Sequence, residues 1–335
     1  MSNKIGKKYI SPIYFLIIFL IVLLFFLCDV LKINNYTGER VFFNAGNFLN
    51  IMNQVSLNAI IAFPMTLAII IQGIDLSVGS VAAFIGVLLC KITLGLNIPF
   101  VPAVILVLAA GILIGMLNGF IIARFNLPAF VVTLGAMIIM RGLALLLVDG
   151  IPIFNDSENF LFLGNGTLAG FIPMPVVVLC IVFISFLFFI RKGGFMKKTI
   201  WAKHIYAVGG NEEAARLSGV NITKVKLLVY SLSALMASLA GILLASRLGS
   251  GQPNAGDGYE LDAITAAIVG GTSLSGGVGT IGGTLAGAII IGIINTGMNT
   301  LGISPYYQLV IKGSVILAAV IIDRNIAEKG NQREG

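Results

Sequence analysis

Glu260 and Asp262, in the stretch GYELDAI, have the spacing of paired carboxylates that general acid–base chemistry would use. Such chemistry needs company: a nucleophile beside its base, or a cluster of metal ligands. His204 is the sole histidine, and Cys28, Cys90 and Cys180 have no metal-like spacing and read as small apolar packers. No catalytic residue and no metal site are therefore expected, and the pair reads as a helix start or the lip of a passage. The second polar cluster is GGNEEAARLSGVN (Gly209–Asn221), which sets two adjacent glutamates and an arginine in a chain that is only 10% charged. Asn211 suits an N-cap, and Glu212 and Glu213 suit the positive end of a helix. Ala214 and Ala215 are strong helix formers, and Gly219 suits a left-handed stop. A helix over 211–219 follows, too short to stand alone in water, so it must rest on a partner or on the remainder of the protein. The chain has no G-x-x-x-x-G-K-[ST] loop, its only Gly-Lys pair being Gly6-Lys7. Any nucleotide-driven motor has to be another polypeptide.

The elements that position these residues are apolar. Of 335 residues 58% are hydrophobic, with a mean hydropathy of +1.02. Soluble domains are about half apolar and about a quarter charged. Uncharged runs such as Ile51–Ile74, Ile92–Ala123 and Ala263–Ile311 each hold one or two crossings of roughly 20 residues. Period-two alternation is absent, which excludes a barrel. The reading is an all-α polytopic membrane protein, a single transmembrane domain over 1–335 with ten spans. They are Ser11–Val30, Ile51–Ile71, Leu76–Leu94, Val101–Ile122, Pro128–Val148, Phe171–Ile190, Val225–Ser246, Ala263–Leu274, Gly277–Asn299 and Pro305–Ile322. The first is a retained helix, since bulky residues stand where a signal-peptide cleavage site needs small ones.

Lysine and arginine set the orientation. With the N-terminus inside, 15 of the 21 fall in the cytoplasm, including Arg124 and the run from Arg191 to Lys226. Lys32, Arg40, Lys91 and Arg247 fall outside. This places residues 1–8, the loop 191–224 and the tail 323–335 of a multi-pass membrane protein in the cytoplasm. The formal net charge of +7 reflects that sorting and not affinity for nucleic acid. Arg141 and Lys312 lie within spans, where charge is expensive, and each reads equally as a structural anchor or a pathway residue.

A faint repeat runs through the chain. Gly115, Asn118 and Pro128 recur as Gly292, Asn295 and Pro305 at a constant offset of 177 residues. Five spans per half would give halves of opposite orientation, as in many transporters. Ahead of each half-repeat stands a Ser/Gly element, Leu76–Gly79 and Leu274–Gly277, where a helix can be interrupted. Asp75, Ser77, Asn118, Ser275 and Asn295 are thus the candidate path residues. Close helix packing through Gly282, Gly283, Gly287 and Gly292 explains the glycines equally well.

GIDLSVGS (Gly73–Ser80), LNGFIIARFNLPAFVVTLG (Leu117–Gly135), AVGGNEEAARLSGV (Ala207–Val220) and GYELDAITAAIVGGTSLSGG (Gly258–Gly277) together resemble the permease subunit of ribose-type ABC sugar importers, over roughly Asn53 to Asp323. The resemblance implies a type II-importer-like fold and a translocation path for a monosaccharide, ribose first. It also implies a second permease copy (the same chain or a paralogue), an ABC ATPase that binds ATP and Mg2+, and an extracytoplasmic sugar-binding protein. Glu213–Gly219 fits the E-A-A-x-x-x-G pattern of that family's coupling helix, so Asn211, Glu212, Glu213, Ala214, Ala215 and Gly219 would dock on the ATPase. Arg40 and Arg247 would meet acidic residues of the binding protein, or contact only solvent and lipid headgroups. Nucleosides, autoinducer-2 or another small polar solute remain alternative cargoes. An ion-driven secondary transporter is the alternative class, disfavoured because no acidic residue stands at mid-depth in a span.

Overall fold

The computed structural model describes residues 45–190 and 199–331. They form helices α1 (Ala45–Ile70), α2 (Val78–Gly95), α3 (Phe100–Phe125), α4 (Ala129–Leu147), α5 (Glu158–Asn165), α6 (Met174–Ile190), α7 (Ile200–Gly210), α8 (Glu212–Leu217), α9 (Ile222–Leu248), α10 (Tyr259–Val269), α11 (Ile281–Thr300) and α12 (Pro305–Asn331). Four two-residue strands make two small antiparallel pairs: β1 (Ile153–Phe154) with β4 (Ser250–Gly251), and β2 (Thr167–Leu168) with β3 (Ile172–Pro173).

Among the described residues, α1 from Gly46, α2, α3, α4, α9 and α11 are long and apolar enough to cross a membrane, and α6 is apolar but shorter. Nine expected spans coincide with a helix; Ser11–Val30 lies outside the described residues. Several boundaries move, three of them as follows. The helix expected from Phe171 starts at Met174, because Ile172 and Pro173 are held in the β2–β3 pair. The segment expected at Ala263–Leu274 is α10, which starts after Gly258 (φ 80°) and ends before Gly271 (φ 86°). It takes Glu260 and Asp262 into its first turn, so these acids are a helix start. The helix expected to close at Ile322 runs on to Asn331.

The chain divides into two compact units, one of residues 52–289 and one that joins the described residues 45–51 to 290–331. In the second unit, Gln308 Nε2 donates to Asn299 Oδ1 (2.9 Å) and to the Ile303 carbonyl (2.8 Å), bracing the turn between α11 and α12. Asn295 is buried in α11, and Lys312 is half-buried in α12.

The first unit is built on α1, α2 and α9. In α1, 89% of the spanning window is buried, against 22% in α3 and 17% in α4. The perimeter helices nonetheless carry exposed Ile105, Leu113, Phe120, Ile138 and Leu146. A soluble protein would bury them; here the outer surface is suited to hydrocarbon. Lipid gives helices no hydrophobic reason to associate, so close approach of backbones has to do the work. Gly111, Gly115 and Gly119 form a G-x-x-x-G-x-x-x-G stripe on α3 against Leu227, Ala234 and Ser238 of α9. A Cβ at Gly115 would run into the Tyr230 carbonyl oxygen and the Ala234 methyl. About two turns beyond Ala234 on α9, Gly241 meets the backbone of Ala82 in α2. Gly283 and Gly287 bring α11 onto the Gly270 and Ala266 carbonyls, whereas Gly282 faces open space. Thr66 of α1 and Thr284 of α11 share a hydrogen bond of 2.6 Å.

The Gly115→Leu variant should lose at least about 1–3 kcal/mol by overpacking. Its thermal midpoint in detergent, followed by size-exclusion chromatography, checks this. Gly142→Ala, where nothing lies within 4 Å of the new methyl, should leave the midpoint unchanged or slightly raised.

Candidate coupling face and polar interior

At one end of the first unit stands a pair of short helices joined at a single residue. Thr199 caps α7 by accepting from Ala202 N (3.2 Å). Asn211 is extended (φ −162°, ψ 108°), closes α7, and caps α8 by accepting from Ala214 N at 2.9 Å. Gly219 stops α8 in the left-handed region (φ 84°), where Val220 N donates to the Ala215 carbonyl. The helix expected over 211–219 is thus present at Glu212–Leu217, with both expected caps. Ala215 is its buried residue, and Glu212 ties it to α9 through Lys226, 3.0 Å away and only 12% exposed. Glu213, Ala214 and Leu217 are left facing out, Leu217 at 82% exposure. Arg216 is also exposed, 3.4 Å from Glu212 and 3.9 Å from Glu213.

Helix α7 was not expected from the sequence, and it carries His204, which therefore lies on a helix and not in a loop. His204 stands edge-on to Trp201, ring centroids 6.2 Å apart. Gly209 is so close to Ile70 that a Cβ would strike the Ile70 carbonyl oxygen. The Tyr206 hydroxyl donates to the Gly279 carbonyl (2.6 Å), and burial raises its pKa, so it remains a donor through the physiological range.

The five candidate path residues separate. Asp75, Ser77 and Asn118 meet in one buried cluster. Asp75 Oδ1 accepts from Ser77 N (3.0 Å) and Ser77 Oγ (2.6 Å), and Asn118 Nδ2 donates to Ser77 Oγ at 3.4 Å. Asp75 precedes α2, and its side chain accepts from the freed Ser77 amide at the helix start. Thr133 of α4 donates to the Ile74 carbonyl (3.0 Å), and Tyr230 closes over Gly73. Ser233 lies beside the carboxylate without meeting hydrogen-bond geometry, so Asp75 Oδ2 has no partner among the described residues. The cluster is enclosed within the subunit, Asp75 being 1% exposed. Ser275 stands apart and exposed; its carbonyl accepts from Gln72 Nε2 at 3.0 Å. Asn295 belongs to the other unit.

At the opposite end of the first unit, α5 docks on the last turn of α9. Ser246 Oγ bonds the Phe160 carbonyl and accepts from Gly164 N at 2.6 Å, and Asn165 Nδ2 donates to the Ser246 and Arg247 carbonyls. Arg247 is half-buried beside Tyr259. Arg40 lies outside the described residues. Arg141 resolves as an anchor: Nη1 donates to the Pro253 (2.6 Å) and Ala255 (2.9 Å) carbonyls and holds the loop ahead of α10. Within the first unit, Arg124, Lys203, Arg216, Lys224 and Lys226 stand at the α8 end, and Lys91 and Arg247, with Arg141 reaching the loop ahead of α10, towards the β4 end. Among the described residues no group of three or more His, Cys, Asp or Glu is placed to hold a metal ion.

Sequence reasoning missed Gln72, Tyr206 and Leu217. Each left a faint signal: a polar residue closing an uncharged run, an aromatic in a basic loop, and an apolar residue on a polar helix.

A bundle with an apolar perimeter, interrupted helices inside and two chemically unlike ends defines a multi-pass helical membrane protein of transporter type. Residues 47–320 match the family described as branched-chain amino acid transport system / permease component, and the chain belongs to that permease family. The ribose import permease protein RbsC of Escherichia coli (strain K12) is 46% identical over 286 residues, covering 84% of this chain and 87% of that protein. RbsC of Bacillus subtilis (strain 168) is 44% identical over 280 residues, 83% and 84% of the two chains. The galactose/methyl galactoside import permease protein MglC of Haemophilus influenzae is 39% identical over 300 residues, 85% and 88%. No solved structure gives a significant match.

Arg141→Met should cost about 1.5–3 kcal/mol, the range for hydrogen bonds to a charged group. Amide exchange over residues 252–260 should rise while that of α9 holds, measured by hydrogen–deuterium exchange mass spectrometry.

Proposed function

We propose that this chain is the membrane-spanning subunit of an ABC importer that carries a monosaccharide, with ribose the first candidate. The observation that carries this is the identity of 44–46% to ribose import permeases over more than four fifths of the chain. A separate ATPase binds ATP and Mg2+, and a sugar-binding protein delivers the cargo. Ten spans, with both termini and the α7–α8 segment in the cytoplasm of an inner membrane, agree with the sorting of cations between the two ends. Two halves related as inverted repeats agree with the buried Asn118 and Asn295 on α3 and α11, each helix followed by one that a proline opens, Pro128 before α4 and Pro305 in α12. A second permease copy completes the path.

On this reading α8 is the coupling helix. Asn211 and Gly219 shape it, Ala215 and Glu212 seat it, and Glu213, Ala214 and Leu217 face the ATPase. Arg247 stands at the end where the binding protein docks.

Reconstituted with its ATPase and binding protein, the chain should take up radiolabelled ribose only when ATP is present; uptake by the chain alone down an ion gradient would reject the importer reading. Leu217→Asp should weaken ATPase association roughly tenfold or more, since burying a Leu contributes about 1.5–3 kcal/mol. Co-purification at graded salt measures it, with Glu213→Lys expected to act in the same direction.

A further inference from the structure

We infer that Gln72 is the transmission residue of this permease: its side-chain amide locks the α7–α8 segment to both interrupted helices, so that motion at the docking face reaches the two breaks together. The inference rests on the importer reading above and concerns a step which that reading leaves open. Gln72 Nε2 has two hydrogens and uses both, one on the Gly209 carbonyl at the end of α7 and one on the Ser275 carbonyl beyond α10, each at 3.0 Å. These partners are 137 and 203 residues away in the chain. Gln72 itself takes a left-handed backbone (φ 59°), uncommon for a residue with a side chain, and this aims the amide out of the turn after α1.

Three other contacts close the same junction. Gly277 N donates to the Ile70 carbonyl at 2.9 Å, and the Tyr206 hydroxyl to the Gly279 carbonyl at 2.6 Å. A side chain at Gly276 would collide with the Gln72 methylenes and the Gly209 carbonyl oxygen. Backbone meets backbone where Gly277 bonds Ile70 and where Gly276 and Gly277 lie against Gly209 and Gly210, and the Gln72 and Tyr206 side chains bridge the remainder of the junction. Three residues beyond Gln72, Asp75 begins the buried cluster that binds the start of α2 to α3. A push on α8 is passed by α7 to this amide, and from it to the turn that positions α2.

Gln72→Met keeps the length of the side chain and removes both donors; Tyr206→Phe removes the neighbouring bond. Each is assembled with the ATPase and binding protein in proteoliposomes, and ATP hydrolysis, ribose uptake and the thermal midpoint are read together. Gln72→Met should keep ATPase co-purification and hydrolysis within about twofold while uptake per ATP falls about tenfold, within the span of coupling effects known for such networks. Tyr206→Phe should shift the same ratio less. Unchanged uptake per ATP in both variants overturns the inference, as does a parallel fall of hydrolysis, uptake and midpoint in both, which marks a merely structural bond. If Gln72→Met fails to assemble, the ratio for Tyr206→Phe decides alone. Wild-type uptake that needs no ATPase overturns the importer reading, and this inference with it.

Discussion

A helix that stops leaves backbone amides and carbonyls without partners of its own, and each must be met by another group. This protein interrupts itself after α1 and after α10, and each break supplies part of what the other needs. The Ile70 carbonyl, at the end of α1, accepts from Gly277 N; the Ser275 carbonyl accepts from Gln72. Ser273 N turns back to the Val278 carbonyl, and Asp75 gathers the amide and hydroxyl of Ser77. The two breaks are therefore one structure, although more than two hundred residues separate Gln72 from Ser275.

That mutual satisfaction is possible only because the surrounding helices come close. Glycine and small residues on α2, α3, α9 and α11 let carbonyl groups approach neighbouring backbones directly, while Phe63, Met65, Ile85 and Tyr230 fill the space between the helices. Some hydroxyls are settled within their own helix, as that of Ser238 is on the Ala234 carbonyl of α9 and that of Thr66 on the Ala62 carbonyl of α1. Small polar residues then pack as if apolar.

The two ends of the bundle differ in kind. One presents a capped helical stub with a bare leucine and glutamate on a firmly seated base; the other is a lattice of short strands, α5 and an arginine-held loop. A stub pinned by Lys226 and Ala215 can pass on a load, whereas a freely hinged one would only absorb it. This asymmetry suits a subunit powered from one side and supplied from the other.

Much of this was legible in the residues. Long uncharged runs located the helices, because the length of an apolar stretch is what a bilayer measures. Asn211 and Gly219 marked the ends of α8, because caps are local and act within three or four residues. The edge of the uncharged run does not mark the start of α10, because Glu260 and Asp262 sit comfortably in its first turn. Helix α7 escapes the sequence because it is too short to read as a span and lies within a basic loop, although its buried Ala202, Ile205, Val208 and Gly209 recur at helical spacing. Composition and local chemistry thus determined that the chain is helical, membrane-bound and furnished with one polar stub. Only the tertiary structure decided that Arg141 is an anchor, that Asp75, Ser77 and Asn118 close on one another, and that Gln72 joins three distant segments. Those outcomes depend on which backbones touch, and a carbonyl offered from two hundred residues away leaves no mark on the residue that receives it.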